Sequence, residues 1–421
     1  MDAIDLRLRG LAFVRAFGIV LAAIPVMLLL FLNKDAYCED SAVVQTYVHS
    51  FDNISVYTGV FALNKDLSLQ TSVYLKYAVD FVNPDIEGSE GGEDGEGEEG
   101  DENELRGDDA LRKFSYVAAV SGASGVASTA GGGSSLSDTR NEFLGGITHN
   151  FNNIIALDAY LDYSTESDYK STTPTITLKK DLFEKNTTLT LGYSRNMDTV
   201  SGAFMDRSEE RNTDNFFFGV TQLISPVAVM QIGYSLNQSG GYMPEGVRLV
   251  PVDGVTADTC TAESATCVDE SLPDKRNRNA YLVSVSRYFI EGIGGFLNRS
   301  AVKLTLRYYD DDWDITSYMG EVEYYKYLTE QAVLRLNYRY YTQTQAFFIK
   351  DSYGSEDHYK SSSPQLEEFD TNLAGIKLTY FLKDLGLPPV LLNSIEGKYE
   401  YYTESIGVNA HVVMAGLRLA F

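Results

Sequence analysis

From Val43 onward, apolar and polar residues alternate in runs of roughly ten, broken by turn-forming residues, the length a tilted strand needs to cross a bilayer. A period of two puts successive side chains on opposite faces, so each run predicts a strand between two unlike environments. The strands predicted are Val43–Ser50, Ile54–Asn64, Leu67–Val82, Thr139–Asn150, Ile154–Ser164, Thr173–Lys180, Thr187–Arg195 and Asp214–Leu223. They continue with Val227–Leu236, Arg278–Tyr288, Arg299–Tyr309, Ile315–Tyr327, Ala332–Phe347, Thr371–Leu382, Ser394–Thr403 and Ala410–Phe421. Ile155, Leu157, Ala159, Leu161 and Tyr163 share one face of their strand, with Asp158, Tyr160 and Asp162 on the other.

The connections alternate in length. One set is short: Lys65–Asp66, Phe151–Asn153, Asp181–Asn186, Ile224–Pro226, Leu328–Gln331 and the somewhat longer Lys383–Asn393. The other set holds the long ones: Asn83–Asp138, Asn196–Thr213, Asn237–Asn277 and Phe348–Asp370. Short turns at one end and long loops at the other fit an all-β, antiparallel, up-and-down transmembrane β-barrel. The expected strand number is sixteen, with fourteen or eighteen as alternatives because boundary errors shift the count in pairs. An even number puts both termini on the periplasmic side. The apolar face then meets lipid and the polar face lines a lumen. Tyr288, Tyr309, Tyr327, Tyr341 and Tyr402, near strand ends, are expected to form interfacial belts.

The last strand ends in an apolar face and Phe421, and it resembles the closing strand of bacterial outer-membrane barrels, in which a terminal Phe serves as an assembly signal. That resemblance implies outer-membrane lipid and the barrel-assembly machinery as partners. The stretches Ser121–Gly125 (SGASG), Asp138–Glu142 (DTRNE), Leu161–Tyr169 (LDYSTESDY) and Lys179–Gly192 (KKDLFEKNTTLTLG) resemble a family of Gram-negative outer-membrane proteins known only as a domain of unknown function. The resemblance extends over most of the mature chain and departs at the acidic insert. It implies a barrel and an outer-membrane address, and no substrate.

Arg7, Arg9 and Arg15 precede an uncharged apolar run from Phe17 to Leu32, which predicts a secretory signal peptide over residues 1–38 and a barrel over 39–421. A retained membrane anchor is the alternative, weakened by Pro25 and the shortness of the run. Cys38 sits in a poor context for lipidation. Cys260 and Cys267, in a loop of an exported chain, are expected to form a disulfide. The formal net charge of -25 argues against nucleic acid, whose phosphates require clustered Lys and Arg. Much of it lies in residues 85–109, where thirteen acids stand against Arg106, and this external insert is expected to be disordered.

Candidate chemistry lies on the polar face. Lys303, Arg307, Glu321, Glu323, Arg335, Arg339, Lys377, Glu396, Lys398, Glu400 and Arg418 are expected to line the lumen, their alternating signs on adjacent strands suiting cross-strand pairing. Such a wall either sets a field across a pore or merely stabilises a polar interior. Asp310, Asp311, Asp312 and Asp314 around Trp313 lack EF-hand spacing and read as a solvated loop rather than a weak Ca²⁺ site. No metal or other cofactor is implied. Only His49, His149, His358 and His411 are available, none in a catalytic or haem-attachment motif, so no enzyme is expected.

The function expected is a porin-like channel for small polar or ionic solutes, with Asn237–Asn277 as a candidate constriction loop. The alternative is a structural barrel around an envelope partner, including an electron-transfer conduit in which a partner cytochrome carries the haem. A surface hydrolase is a third reading, and it needs a compact Asp, Glu and His cluster at the external rim.

Overall fold

In a computed structural model the chain closes into a barrel. The structure describes residues 40–51, 54–84, 138–201, 205, 207–244, 248–255, 266–290, 295–382 and 392–420. The signal-peptide region, the acidic insert, Cys260 and Phe421 lie outside them. The strands are β1 (Ser41–Phe51), β2 (Ile54–Ser68), β3 (Thr71–Pro84), β4 (Asp138–Phe151), β5 (Ile155–Thr165), β6 (Tyr169–Leu182), β7 (Thr187–Val200), β8 (Glu209–Ser225) and β9 (Ala228–Gly241). After two short strands, β10 (Leu249–Pro251) and β11 (Cys267–Asp269), come β12 (Lys275–Phe289), β13 (Ser300–Asp311), β14 (Thr316–Tyr327), β15 (Ala332–Gln343), β16 (Phe369–Phe381), β17 (Ser394–Glu404) and β18 (Asn409–Ala420).

Sixteen of these form one closed antiparallel sheet in which each strand pairs with its sequence neighbours, β9 pairs with β12, and β1 pairs with β18 along its whole length. Closure leaves no unpaired edge. β10 and β11 make a separate two-stranded sheet within the connection between β9 and β12.

Each predicted strand overlaps an observed one, and the differences lie at the ends. The turn expected at Lys65–Asp66 falls later: β2 continues to Ser68, with an irregularity between Asp66 and Ser68, and β3 starts at Thr71. Lys65 is held in ladder register because its ammonium reaches Asp40 at 2.9 Å and the Asp66 N–H donates to the same carboxylate. The Asn196–Thr213 connection shortens because β7 and β8 pair out to Val200 and Glu209. β15 stops at Gln343 rather than Phe347, since Ala346 and Phe348 are buried in another structure described below. At the β4–β5 turn, Asn152 and Asn153 both take left-handed φ values of 52° and 55°, which Asn tolerates better than most residues.

At the long-connection end a small apolar cluster joins three connections. Met243, Trp313, Ile315, Ala346, Phe348 and Leu366 are buried together, with Tyr309, Leu272, Ile349 and Tyr359 against them. This corrects the expectation of a solvated acidic loop between β13 and β14. Asp311 is buried, accepting the N–H groups of Trp313 and Ile315 at 3.0 Å each and a bond from Arg276 Nε at 2.8 Å. Its carboxylate caps the turn while Trp313 donates its indole N–H to the Lys275 carbonyl at 2.9 Å and packs under Arg276. The β10–β11 hairpin docks on the same assembly, bridging from Val252 to Tyr353 and from Ser271 to Lys360. Cys267, at the start of β11, is disulfide-bonded.

Candidate functional site: the barrel interior

One cavity fixes which face points inward. It is about 390 Å³, and it is lined by Tyr47, His49, Thr58, Lys76, Asp80, Arg140 and Glu142 from β1–β4 together with Glu321, Arg339, Lys398 and Glu400 from β14, β15 and β17. Strands β4 and β14 are eight apart in the ring, so side chains from both meet in one space only inside the barrel. Period two then sets every other position. All the lumen-facing candidates named from the sequence fall at inward register positions, while Leu304, Leu306, Val322, Ile376 and Leu378 point outward and are exposed.

The wall from β13 to β17 carries a continuous chain of ion pairs. Lys303 Nζ lies 2.8 Å from Glu323, whose other oxygen is 3.6 Å from Arg335; Arg335 also reaches Glu400 at 3.3 Å, and Lys398 binds Glu400 at 2.7 Å. A second group joins Lys377 to Glu396 at 2.6 Å, with Gln45 of β1 donating to the same carboxylate at 2.7 Å. Both groups skip a strand, which side chains of this length manage because the intervening inward position is glycine. Asn337, Gly375 and Glu400 are in register, as are Glu396, Gly416 and Gln45. Arg307, Glu321, Arg339 and Arg418 face the same interior without a direct ion pair among the described residues.

Across the lumen stands a second charged group that sequence reasoning did not single out. Lys76 and Arg140 hold Glu142, Arg140 lies 3.7 Å from Asp80, and Thr58 donates to Asp80 at 2.6 Å. Lys179 of β6 reaches Asp158 of β5 at 2.8 Å. The signal was present as charges spaced two or four apart, Lys76 with Asp80 and Arg140 with Glu142. Between the charged walls, β7–β9 present one ion pair, Asp198 with Arg211 at 3.1 Å, and otherwise mostly hydroxyl and amide groups: Thr213 bonds Ser239 at 2.9 Å, and Asn215 donates to Ser194 at 3.1 Å and to Asn196 at 2.8 Å. Ion pairs open to water add at most about 1 kcal/mol each, so this interior is stabilised by its ladders more than by its charges.

The tyrosine belt is not where the sequence reading put it. Tyr309, Tyr341 and Tyr402 share the inward parity, bonding Asp311, Gln343 and Glu404, and Tyr288 and Tyr327 have that parity too. Strand ends alone do not identify a belt residue; it must also face outward. The outward aromatics include Tyr193, Phe216, Phe218, Tyr234, Tyr281, Tyr308, Tyr318, Tyr338, Tyr340, Tyr399 and Tyr401. The hydroxyls of Tyr193, Tyr234, Tyr338 and Tyr340 point along the wall to Asp214, Asn279, Asn372 and Asp370, the placement expected of rings in hydrocarbon with polar tips toward headgroups.

Sequence comparison matches residues 32–207 and 202–419 to a family described as "Protein of unknown function (DUF3570)". The chain belongs to that family. No curated protein matches this DUF3570 chain. Among solved structures, it is similar to a bacterial polysaccharide outer membrane secretin, at 7% identity over 92% of this chain and 100% of that one, with a TM-score of 0.46. It is also similar to the outer membrane protein OpdK of Pseudomonas aeruginosa, at 10% identity over 91% and 99% of the two chains and a TM-score of 0.40. A third is the siderophore receptor PirA of the same organism, at 7% identity over 92% and 81% and a TM-score of 0.40.

The four histidines of the DUF3570 chain stand apart. His49 faces the interior cavity, His149 bonds Thr71 at 2.8 Å, His411 bonds Tyr399 on the outer face, and His358 packs on Tyr359 in the connection after β15. Among the described residues, no group of three or more His, Cys, Asp or Glu is arranged to hold a metal ion. The described lining of the interior cavity comes from strands, and none of it from the Asn237–Asn277 connection expected to constrict the pore.

Proposed function

We propose that this protein is an outer-membrane channel that passes small polar or ionic solutes through a water-filled, charge-lined lumen, with both termini and the short turns in the periplasm. The observation that carries the reading is the division of the closed sheet into two faces. Ion-paired, hydroxyl and amide side chains fill the inward positions, while exposed Leu, Ile, Val, Tyr and Phe fill the outward ones. An interior of that composition is costly to keep dry, because each charge taken from water loses hydration that its partner only partly replaces. Diffusion is the mechanism, with charged side chains from opposite walls narrowing the passage. The reading includes no chemical step. The test is conductance in planar bilayers, using protein whose folding is verified by slower or faster gel migration before heating than after. Discrete conductance steps are expected. A folded barrel that conducts nothing ends the channel reading, and a partner that co-purifies inside such a barrel favours the scaffolding alternative.

A further inference from the structure

The interior charges are unequally distributed around the ring, and the unpaired ones are mostly cationic on one side. On β12–β15, Arg278, Arg307 and Arg339 face inward without a direct ion pair among the described residues. They descend along the wall: Arg278 is level with Asp311 at the long-connection end of β13, Arg307 is level with Leu282, and Arg339 is level with Glu321 and hence with Thr305. Below them the cations of the ion-pair chain outnumber its carboxylates, since Lys303 and Arg335 share Glu323 while Arg335 and Lys398 share Glu400. At the other end Arg418 is level with Ser394, the first residue of β17. The track therefore runs the length of the wall, roughly 48 Å along the strands at about 3.4 Å per residue.

On β12–β18, Glu321 and Glu404 are the inward carboxylates without a cationic partner among the described residues, fewer than the four arginines Arg278, Arg307, Arg339 and Arg418. The opposite wall, centred on β4, differs: Asp80, Glu142 and Asp158 are held by Arg140, Lys76 and Lys179, and Asp162 has no ion-pair partner among the described residues. Cations entering on that side meet three carboxylates already neutralised by neighbours and one, Asp162, that is not. Anions on the β12–β18 side meet Arg278, Arg307 and Arg339, whose guanidinium groups have no ion-pair partner among the described residues, and guanidinium binds carboxylate in a two-pronged fashion.

We infer that the channel prefers small anions, carboxylates among them, and conducts them along the β12–β18 wall past Arg278, Arg307 and Arg339. This rests on the channel reading and names the solute class. The preference arises in the lumen and runs against the acidic charge of the whole chain, because a charge outside the pore is screened within about 10 Å at 0.1 M salt.

The experiment measures reversal potential across a planar bilayer in a KCl gradient, then in potassium acetate. Wild-type protein is expected to favour chloride over potassium about sevenfold, because one unit charge held some 7 Å away in water enriches the anion nearly threefold and depletes the cation nearly threefold. R307Q/R339Q is expected to bring that ratio close to one while leaving the barrel folded and conducting. Deletion of residues 85–109 is expected to leave the ratio in place. Potassium preference in the wild-type channel overturns the inference, and so does an anion preference that survives R307Q/R339Q or vanishes with the 85–109 deletion. A folded protein with no conductance at all fails earlier, at the channel reading, and takes this inference with it.

Discussion

Gly375 stands between Asn337 and Glu400 on the inner wall, and a Cβ there would fall 2.5 Å from the Asn337 Oδ1 and 2.7 Å from the Glu400 Cγ. The bare backbone lets Glu400 of β17 lean across β16 to Arg335 of β15. Replacing it, as in Gly375→Val, pushes Glu400 off Arg335 and leaves the guanidinium sharing Glu323 with Lys303. The expected cost is about 1–3 kcal/mol, typical of overpacking a filled site. Urea unfolding of the refolded barrel checks it, and adding Glu400→Ala to Gly375→Val is expected to recover part of the loss by removing the clashing side chain. An unchanged midpoint for Gly375→Val refutes the packing argument. At this scale the sequence was partly legible. Alternation gave each charged residue its face, as for Lys303 and Glu323, but it did not say which carboxylate would bridge two strands, because that depends on a glycine in a third strand distant in sequence. Parity would also have excluded Tyr309, Tyr341 and Tyr402 from the lipid-facing belt had it outweighed their position near strand ends.

Among the elements, the strands were legible and the cap was not. A strand announces itself by local alternation, and β12 to β15 each overlap a predicted run for that reason. The apolar cluster at the long-connection end draws Met243, Trp313, Phe348 and Leu366 from three connections, and residues so scattered carry no period to detect. Asp310–Asp314 read as a solvated run because charge composition was all the segment offered; the fold buries Asp311 beneath Arg276 and Trp313 instead. Trp313 holds this cap together, touching Phe348 edge-on and accepting the Phe347 N–H on its carbonyl at 3.0 Å. Trp313→Ala is expected to destabilise the cap by about 3–5 kcal/mol, the usual cost of truncating a buried Trp. The barrel itself is expected to stay folded, since its ladders do not pass through that site. Limited proteolysis reads the difference: faster cleavage within residues 344–368 and unchanged heat-dependent gel migration are expected. Equal cleavage rates for the variant and the parent rule out Trp313 as the anchor.

At the scale of the molecule, the arrangement of connections carries a claim about orientation. The closed ring puts Ser41 and Ala420 side by side in register, at the end that also carries the turns after β2, β4, β6 and β8. The cap and the β10–β11 hairpin occupy the opposite end. A barrel inserted from the periplasm must carry across whatever lies at its leading end, and outer-membrane barrels keep short turns at the end that stays behind. Ser355, in the connection after β15, is therefore expected to face the cell exterior, and Gln70, in the two-residue turn between β2 and β3, the periplasm. Ser355→Cys and Gln70→Cys, each exposed to a membrane-impermeant maleimide on intact cells, separate the two ends. Strong labelling of Ser355→Cys before permeabilisation and of Gln70→Cys only after it is expected, with the parent chain setting the background from its native cysteines. The reverse pattern would turn the barrel over. The ion-pair chain and the arginine track would survive that result, since both belong to the wall, but the cap would then guard the periplasmic mouth, and solutes from outside would meet Arg418 first rather than Arg278.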